Sequence, residues 1–255
     1  PEANDGTSTL WLTRTESYRL TTSNTVTYND TYADKHSLRV LAGQEAQVDN
    51  YSWLQGYSPD VDPAIPFPNT GNAASDEVGY GESAETLLSF FGLADYSFDS
   101  KYYLQGSVRY DGSSRFKDHW ALFPSFAFGW KMKEEAFLKD VDALSDLKLR
   151  LGYGQTGQQE GIGNYNYFAS YNVNQTPDSF YPIIGNGQLN RPDAYNSDLT
   201  WETTTTYNVG LDFGFMNNRV TGSLDYYFRE TTDLLNTVYV PAGANFRNQV
   251  TSNIG

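Results

Sequence analysis

The sequence contains no cysteine, only two histidines and no long uninterrupted run of apolar residues. Without cysteine the chain forms neither disulfides nor thiolate metal sites. No apolar run approaches the roughly 20 residues that a membrane-spanning helix needs, which excludes helical membrane proteins. Basic residues are also few, 17 Lys and Arg against 31 Asp and Glu, and the net charge of −14 speaks against nucleic acid as a partner.

Motifs for catalysis or cofactor binding are equally scarce. His36 and His119 have no carboxylates at metal-binding spacing, and no serine lies in a nucleophile elbow. Residues 152–157 spell G-x-G-x-x-G, but the segment after them has no helical pattern, so a nucleotide site is not expected. We therefore expect no catalytic residue, no bound metal and no cofactor, and predict that the protein is not an enzyme.

Aromatic residues, by contrast, are abundant, with 20 Tyr and 15 Phe in 255 residues, and they favour folded β structure. Residues 147–157 show the pattern best, because apolar and polar side chains alternate with the period of a strand. Leu149 and Leu151 fall on one face, and Lys148 and Arg150 on the other. A soluble sheet with its apolar face inward fits this pattern, and so does a membrane barrel with that face outward.

Similar alternation predicts about eight full strands along the chain. They lie at residues 17–30, 36–48, 86–98, 101–111, 125–133, 147–157, 201–215 and 220–229. The connections are alternately tight and long. Tight turns are expected at 31–35, 99–100 and 217–218, and a helical turn in 134–144. Longer loops are expected at 49–82, 112–122 and 158–199.

Loops sorted in this way to the two ends of an up-and-down sheet are typical of outer-membrane barrels. The sequence therefore predicts an all-β, antiparallel, up-and-down transmembrane β-barrel, present in part. Its alternation assigns polar residues to the lumen: Arg109, Lys131, Lys148, Arg150, Asp212 and Asp225. It assigns apolar residues to the lipid: Leu104, Val108, Leu149, Leu151, Val209, Leu211 and Leu224. Aromatic residues beside the tight turns predict an interfacial girdle at that end.

The two longest loops carry the candidate contact residues for cargo or a partner. The candidates are Tyr51, Trp53, Tyr57, Tyr165, Tyr167 and Tyr171. These rings suit stacking on sugars or packing on another protein, and packing of each loop on itself fits equally well. Acids in the first loop offer oxygens for calcium but match no known calcium loop, so solvated surface charge is the favoured interpretation. These acids are Asp60, Asp62, Asp76, Glu77 and Glu82.

Seven segments, in the order in which they occur, resemble the C-terminal half of the SusC/RagA-type TonB-dependent transporters of Bacteroidota. They are HSLRVLAGQE (36–45), YDGSSRF (110–116), FPSFAFGW (123–130), LSDLKLRLGYGQTG (144–157), DLTWE (198–202), NVGLDFGF (208–215) and DYYFRETTDLL (225–235). The resemblance implies a barrel of about 22 strands, with an N-terminal plug, a SusD-like surface lipoprotein as partner and energy supplied by the TonB complex. Residues 1–255 would then be one part of that barrel, and we expect a fragment of a longer chain.

The resemblance implies import of glycan or peptide nutrients through the outer membrane, with TonB acting through regions that these residues do not include. Two other functions remain open from the residues alone. One is a porin-like or structural outer-membrane barrel without energy coupling. The other is a soluble extracellular β-sandwich that binds carbohydrate.

Overall fold

The computed structural model describes residues 8–61, 77–172, 191–241 and 247–255. They fold almost entirely into strands, with one 3₁₀ turn (Met132–Glu134) and one helical turn, α1 (Ala136–Lys139). The strands are β1 (Ser8–Tyr32), β2 (His36–Val61), β3 (Glu77–Phe98), β4 (Tyr102–Ser113), β5 (Trp120–Lys131), β6 (Leu144–Gln158), β7 (Tyr171–Asn172), β8 (Arg191–Pro192), β9 (Glu202–Phe215), β10 (Val220–Thr232), β11 (Leu234–Tyr239) and β12 (Gln249–Ile254). Within the described ranges, no helix is long and apolar enough to cross a membrane.

Eight strands form one sheet in the order β1-β2-β3-β4-β5-β6-β9-β10. Neighbours in this sheet are also successive along the chain, apart from β7 and β8, which form a separate two-residue ladder between β6 and β9. From β3 to β10 every pairing is antiparallel. This architecture confirms the predicted all-β, up-and-down fold with eight strands.

The tight turns lie where the sequence places them. Both central residues of the β1–β2 turn have positive φ, 49° at Ala33 and 53° at Asp34, and so do Asp99 and Ser100 between β3 and β4. Such backbone angles belong to hairpin turns whose twist matches that of the strands. The β9–β10 turn is longer than predicted, because Met216 shares the positive φ of residues 217 and 218.

The predicted loop at residues 49–82 is wrong in its bounds. Strand β2 continues to Val61 and β3 begins at Glu77. Prolines and glycines suggested a loop, but Pro59 lies near the end of its strand, where few ladder bonds remain to be lost. The predicted loop at 112–122 also shrinks to residues 114–119, since β4 and β5 extend into it.

The chain divides into two compact units. Unit 1 comprises Pro1–Thr21 and Gln47–Thr86, and unit 2 comprises Thr22–Ala46 and Leu87–Gly255. Strands β1, β2 and β3 contain 25, 26 and 22 residues, far more than the 9–11 that a tilted strand needs to cross a bilayer. The described part of unit 1 consists of segments of these three strands.

A small apolar core lies at the long-loop end of unit 2. Trp201 packs against Phe116 and Phe123, with ring centroids 5.0 and 5.6 Å apart. The core is completed by Ile162 and Leu199, both buried. Since these residues come from three segments distant in sequence, this core connects the outer connections to the sheet.

Side-chain hydrogen bonds of Glu135 and Lys133 fix the connection between β5 and β6. The Glu135 carboxylate accepts hydrogen bonds from the Tyr102 hydroxyl at 2.5 Å and the Trp130 indole N–H at 3.1 Å. The Lys133 ammonium donates to the carbonyls of residues 138, 139 and 141 at 2.9–3.0 Å, which satisfies the orphan acceptors at the end of α1. This geometry confirms the predicted helical turn.

Glu135 should make this connection sensitive to acid. The hydrogen bonds from Tyr102 and then Trp130 lower the pKa of Glu135 below its ordinary value of 4.5. Its stabilising contribution is therefore complete above pH 4.5 and is lost as the pH falls through the lower pKa of the folded state. Hydrogen exchange of residues 132–144 should accelerate in that acidic range. Glu135→Gln should remove this pH dependence, and an unchanged profile in the variant would contradict the assignment.

Candidate functional site

One face of the unit 2 sheet is continuously apolar. The pairing of strands β3 to β10 places the following residues side by side in one row: Tyr96, Leu104, Phe128, Leu151, Val209 and Tyr226. Leu104, Leu151 and Val209 are 38, 40 and 47 % exposed, and Tyr226 is 73 % exposed. In water so large an apolar surface would be costly. This face is therefore suited to an apolar surrounding.

Stacked aromatic rings border the apolar face at both ends. Near the tight turns, Tyr102 stacks with Phe98 and with Trp130, each at 6.3 Å. Toward the long loops, Trp120 stacks on Tyr110 at 4.7 Å. At about 3.3 Å per residue, Tyr102 to Tyr110 spans about 26 Å along the strand and Trp130 to Trp120 about 33 Å. A tilt of about 40° reduces these to about 20–25 Å, close to the apolar band of a membrane barrel. Sequence reasoning anticipated only the band beside the turns.

The opposite face of the same strands carries the charges. Directly paired residues share a face, and the pairing brings together all six residues assigned from sequence to a lumen: Arg109, Lys131, Lys148, Arg150, Asp212 and Asp225. The seven residues assigned to lipid lie on the apolar face. The pairing establishes which residues share a face of the sheet. Whether a face contacts lipid or water is part of the proposed function.

Arg150 is the centre of an ion network across three strands. Its guanidinium donates to both carboxylate oxygens of Asp212, at 2.8 and 2.9 Å, and to Asp225 at 3.1 Å. Gly210 lies between these strands, and a Cβ there would come within 2.6 Å of the Asp225 carboxylate and 2.7 Å of Arg150 Cζ. The glycine therefore leaves the space in which the guanidinium crosses β9.

Arg109 forms a second network on this face. It donates to Asp111 at 2.8 Å, to the Ser89 hydroxyl at 2.8 Å and to Glu45 at 3.3 Å. Its guanidinium also lies 5.6 Å from the centre of the Phe91 ring. Asp111 and Ser89 are buried, so Arg109 offsets the desolvation of polar groups that would otherwise destabilise the sheet.

Lys131 and Lys148 are direct neighbours across the β5–β6 pair, where like charges repel. Their ammonium groups lie 5.4 and 5.5 Å from the centre of the Tyr103 ring. Cation–π attraction to one shared ring partly offsets the repulsion. Among the described residues, neither lysine forms a salt bridge, so this part of the face carries positive charge.

Lys148, Arg150 and Tyr103 border a concavity of about 620 Å³ in unit 2. Its polar lining comprises Ser37, Arg39, Asp95, Tyr96, Ser97, Tyr103, Gln105, Lys148, Arg150 and Asn208. Asp95 accepts a hydrogen bond from Gln105 at 2.8 Å. The concavity combines charges of both signs with neutral donors, which suits weak contacts with a polar solute.

In unit 1 the aromatic candidates pack within the strands. Trp53 lies against β3, where a Cβ on Gly81 would come within 2.2 Å of its indole nitrogen. The Tyr57 ring contacts the Trp11 ring at a tilt, with centroids 4.5 Å apart, whereas Tyr51 is 46 % exposed. These residues thus belong to a sheet and not to the loop predicted for them. Of the acids proposed as surface charge, residues 62 and 76 and the side chain of residue 60 lie outside the described part.

The second set of aromatic candidates lies between β6 and β9. Tyr165 and Tyr167 occupy a turn, Tyr165 is 50 % exposed, and the Tyr167 ring meets Phe168 edge-on at 6.4 Å. Strands β7 and β8 of the same connection form a two-residue antiparallel ladder, with Tyr171 opposite Pro192. The structure describes only the backbone of Tyr171.

The histidines and the glycine motif have structural roles. His36 Nδ1 lies 2.7 Å from the Tyr96 hydroxyl, and His119 Nδ1 lies 2.9 Å from the Ser113 carbonyl. In the described part of the chain, no three acidic or histidine side chains converge on a metal position. Residues 152–157 continue β6, and a Cβ on Gly157 would come within 2.1 Å of the Phe123 ring. The last glycine of the motif therefore leaves space for the outer core.

Comparison with known proteins gives a consistent result. The family model described as "TonB dependent receptor-like, beta-barrel" matches residues 2–255. The TonB-dependent receptor SusC of Bacteroides thetaiotaomicron is 53 % identical over 178 residues, which cover 67 % of this chain and 17 % of that protein. A TonB-dependent receptor of Formosa agariphila is 35 % identical over 242 residues, covering 93 % of this chain and 22 % of the relative.

The fold also matches solved structures. A structure of the RagAB peptide transporter superposes with a TM-score of 0.83 at 28 % identity, covering 96 % of this chain and 27 % of the other. An open-open state of the RagAB peptide importer gives the same TM-score and covers 97 % of this chain. The chain thus spans about a fifth of the length of the curated relatives it matches and about a quarter of the structural ones.

Proposed function

Because this chain belongs to the TonB-dependent receptor-like β-barrel family of the outer membrane, we propose that it forms part of the wall of a SusC-like importer of glycan or peptide nutrients. Members of this family are transporters and not enzymes. The cargo would bind without covalent chemistry and pass along the wall. TonB would supply the energy through regions outside these residues.

A single observation carries the proposal beyond family membership: the unit 2 sheet has an exposed apolar face between two aromatic bands and a charged opposite face. A soluble sandwich would bury such an apolar face against a second sheet. A membrane barrel turns it to lipid and keeps the charges in a wet lumen. We therefore assign Leu104, Val108, Leu149, Leu151, Val209, Leu211 and Leu224 to lipid. The networks around Arg109 and Arg150, together with Lys131 and Lys148, belong to the lumen.

The proposed partners would meet the protein at the end of the sheet that carries the long connections. The strand extensions of unit 1 and the connection at residues 158–199 would lie at the cell surface, where a SusD-like lipoprotein and the cargo meet the transporter. Tyr51, Trp53, Tyr57, Tyr165, Tyr167 and Tyr171 are the candidate contacts there. The tight turns would face the periplasm.

Cysteine labelling of the full protein tests this topology. Single cysteines at Ser100 and Asn218 should resist a membrane-impermeant maleimide on intact cells and react after permeabilisation. A cysteine at Phe168, which is 62 % exposed in the long connection, serves as the positive control and should react on intact cells. Labelling of both turns on intact cells would show that the protein has the opposite orientation in the membrane.

Growth measurements test the import function. A strain lacking the gene should lose growth on a glycan or peptide source, and the full gene should restore it. The same gene with its TonB-contacting segment deleted should not restore growth, although the protein reaches the outer membrane in equal amount. Growth that is independent of TonB would favour a porin-like barrel.

A further inference from the structure

Cross-strand contacts in unit 1 define one face of its three strand segments. The Trp11 and Tyr57 rings are in contact at a tilt of 46°, with ring centroids 4.5 Å apart, and the Gln55 amide donates to the Thr13 hydroxyl at 3.1 Å. Since side chains alternate along β2, Trp53 lies on the same face as Gln55 and Tyr57. We call this set, Trp11, Thr13, Trp53, Gln55 and Tyr57, the aromatic face of unit 1.

Two glycines on β3 make room for the central ring of this face. A Cβ on Gly79 would come within 3.0 Å of the Trp53 ring, and one on Gly81 within 2.2 Å of its indole nitrogen. The indole is therefore held against the backbone of β3 and is only partly buried. Trp11 is 58 % exposed. A fixed, solvent-accessible ring loses little entropy when a ligand stacks on it.

The cation on the same side of the strands is paired, and the β3 carboxylates that share the parity of Gly79 and Gly81, those of Glu77 and Glu85, add only negative charge. Arg19 binds both oxygens of Asp49, at 2.6 and 3.0 Å, and Gln47 donates to the same carboxylate at 2.8 Å. The Asp49 carboxylate raises the pKa of Arg19, chiefly through these hydrogen bonds. The pair therefore offers no free charge to a ligand, while Thr13 and Gln55 offer a hydroxyl and an amide.

We propose that the aromatic face of unit 1 is a binding site for a neutral oligosaccharide, an inference that rests on the proposed import function and names its substrate class. Sugar rings present apolar C–H faces that stack on aromatic side chains, and their hydroxyls pair with amides and hydroxyls. An extended peptide would instead pair its main chain with a strand edge. An anionic sugar would require a free cation, and the cation beside this face is already paired.

Binding measurements on the full protein in detergent test this site. The probes are neutral oligosaccharides from plant, algal and fungal glycans, a hexagalacturonate and an uncharged hexapeptide, measured by titration calorimetry and tryptophan fluorescence. We expect a neutral oligosaccharide to bind and to quench tryptophan emission. Trp53→Ala and Trp11→Ala should each weaken binding about tenfold or more, as truncation of a central aromatic contact does.

Two further variants distinguish a loss of binding at the aromatic face of unit 1 from a general loss of structure. Gly81→Val keeps every aromatic side chain but displaces the Trp53 indole, and should also weaken binding about tenfold. Tyr18→Ala is the matched control, since Tyr18 is 63 % exposed and its hydroxyl accepts a hydrogen bond from Asn50, a residue of alternate parity to the aromatic face. This control should bind as the unmodified protein does.

The outcomes distinguish this site from the import function. Unchanged oligosaccharide binding in Trp53→Ala and Trp11→Ala overturns the site. Binding of the hexapeptide or the hexagalacturonate but of no neutral oligosaccharide overturns the substrate class, and so does binding of none of the probes. In each of these cases, growth that depends on TonB would still support the proposed import function. Growth that never requires the protein overturns the proposed function itself.

Discussion

Leu151→Arg is expected to prevent assembly of the protein in the outer membrane, whereas Arg150→Leu at the neighbouring position should be tolerated better. Leu151 is 40 % exposed in the middle of the apolar face, between Phe128 and Val209. An arginine at a lipid-facing site near the midplane costs about 2–4 kcal/mol. Folding yield into lipid vesicles and heat-modifiable mobility in gels would measure the effect.

Arg150→Leu changes the opposite face. It would leave Asp212 and Asp225 without their shared partner, but the side chains of Arg150 and Asp212 are 35 and 32 % exposed, so water screens the loss. The comparison uses residues adjacent in one strand, so strand position and expression context are matched. If Arg150→Leu blocked assembly and Leu151→Arg did not, the assignment of the two faces would be reversed.

Trp201→Ala is expected to unfold the outer core of unit 2 while the sheet below it remains paired. Trp201 is 8 % exposed, packs on Phe116 and Phe123, and donates from its indole to the His119 carbonyl at 3.2 Å. Truncating such a buried tryptophan costs about 3–5 kcal/mol. Hydrogen exchange in residues 114–119 and 159–166 should rise sharply, and the strands β5, β6 and β9 should stay protected.

Phe168→Ala is the control for this prediction, because Phe168 belongs to the same outer connections and is 62 % exposed. It should change exchange little. Trp201→Phe should lie between the two, since it keeps most of the ring contact and loses one hydrogen bond worth about 1 kcal/mol. Equal protection of the outer segments in Trp201→Ala and the unmodified protein would show that this core does not hold them.

Sequence reasoning succeeded where the signal repeats every two residues. Alternation located all eight strands of the main sheet and sorted its charged and apolar residues to opposite faces. It failed at the lengths of β2 and β3, because Pro59, Gly79 and Gly81 are typical loop residues. Gly79 and Gly81 are in fact required inside the sheet, where Trp53 covers them.

The outer core was missed for a different reason. Phe116, Ile162 and Trp201 lie in segments without periodicity and far apart in sequence. Nothing in any one segment indicates that the three side chains meet. A local hint is the glycine motif at residues 152–157, whose last glycine, Gly157, is the contact surface for Phe123.

The amino-acid sequence by itself determined that this chain forms antiparallel strands with one apolar and one charged face, since the orientation of a side chain in a strand depends only on its place in the chain. The tertiary structure decided which charges meet. Arg150, Asp212 and Asp225 come from three strands, and their contact depends on the register that the turns and the β-bulge near Leu144 impose. Register is a property of paired strands, and a shift of one residue would move each of these groups to the other face.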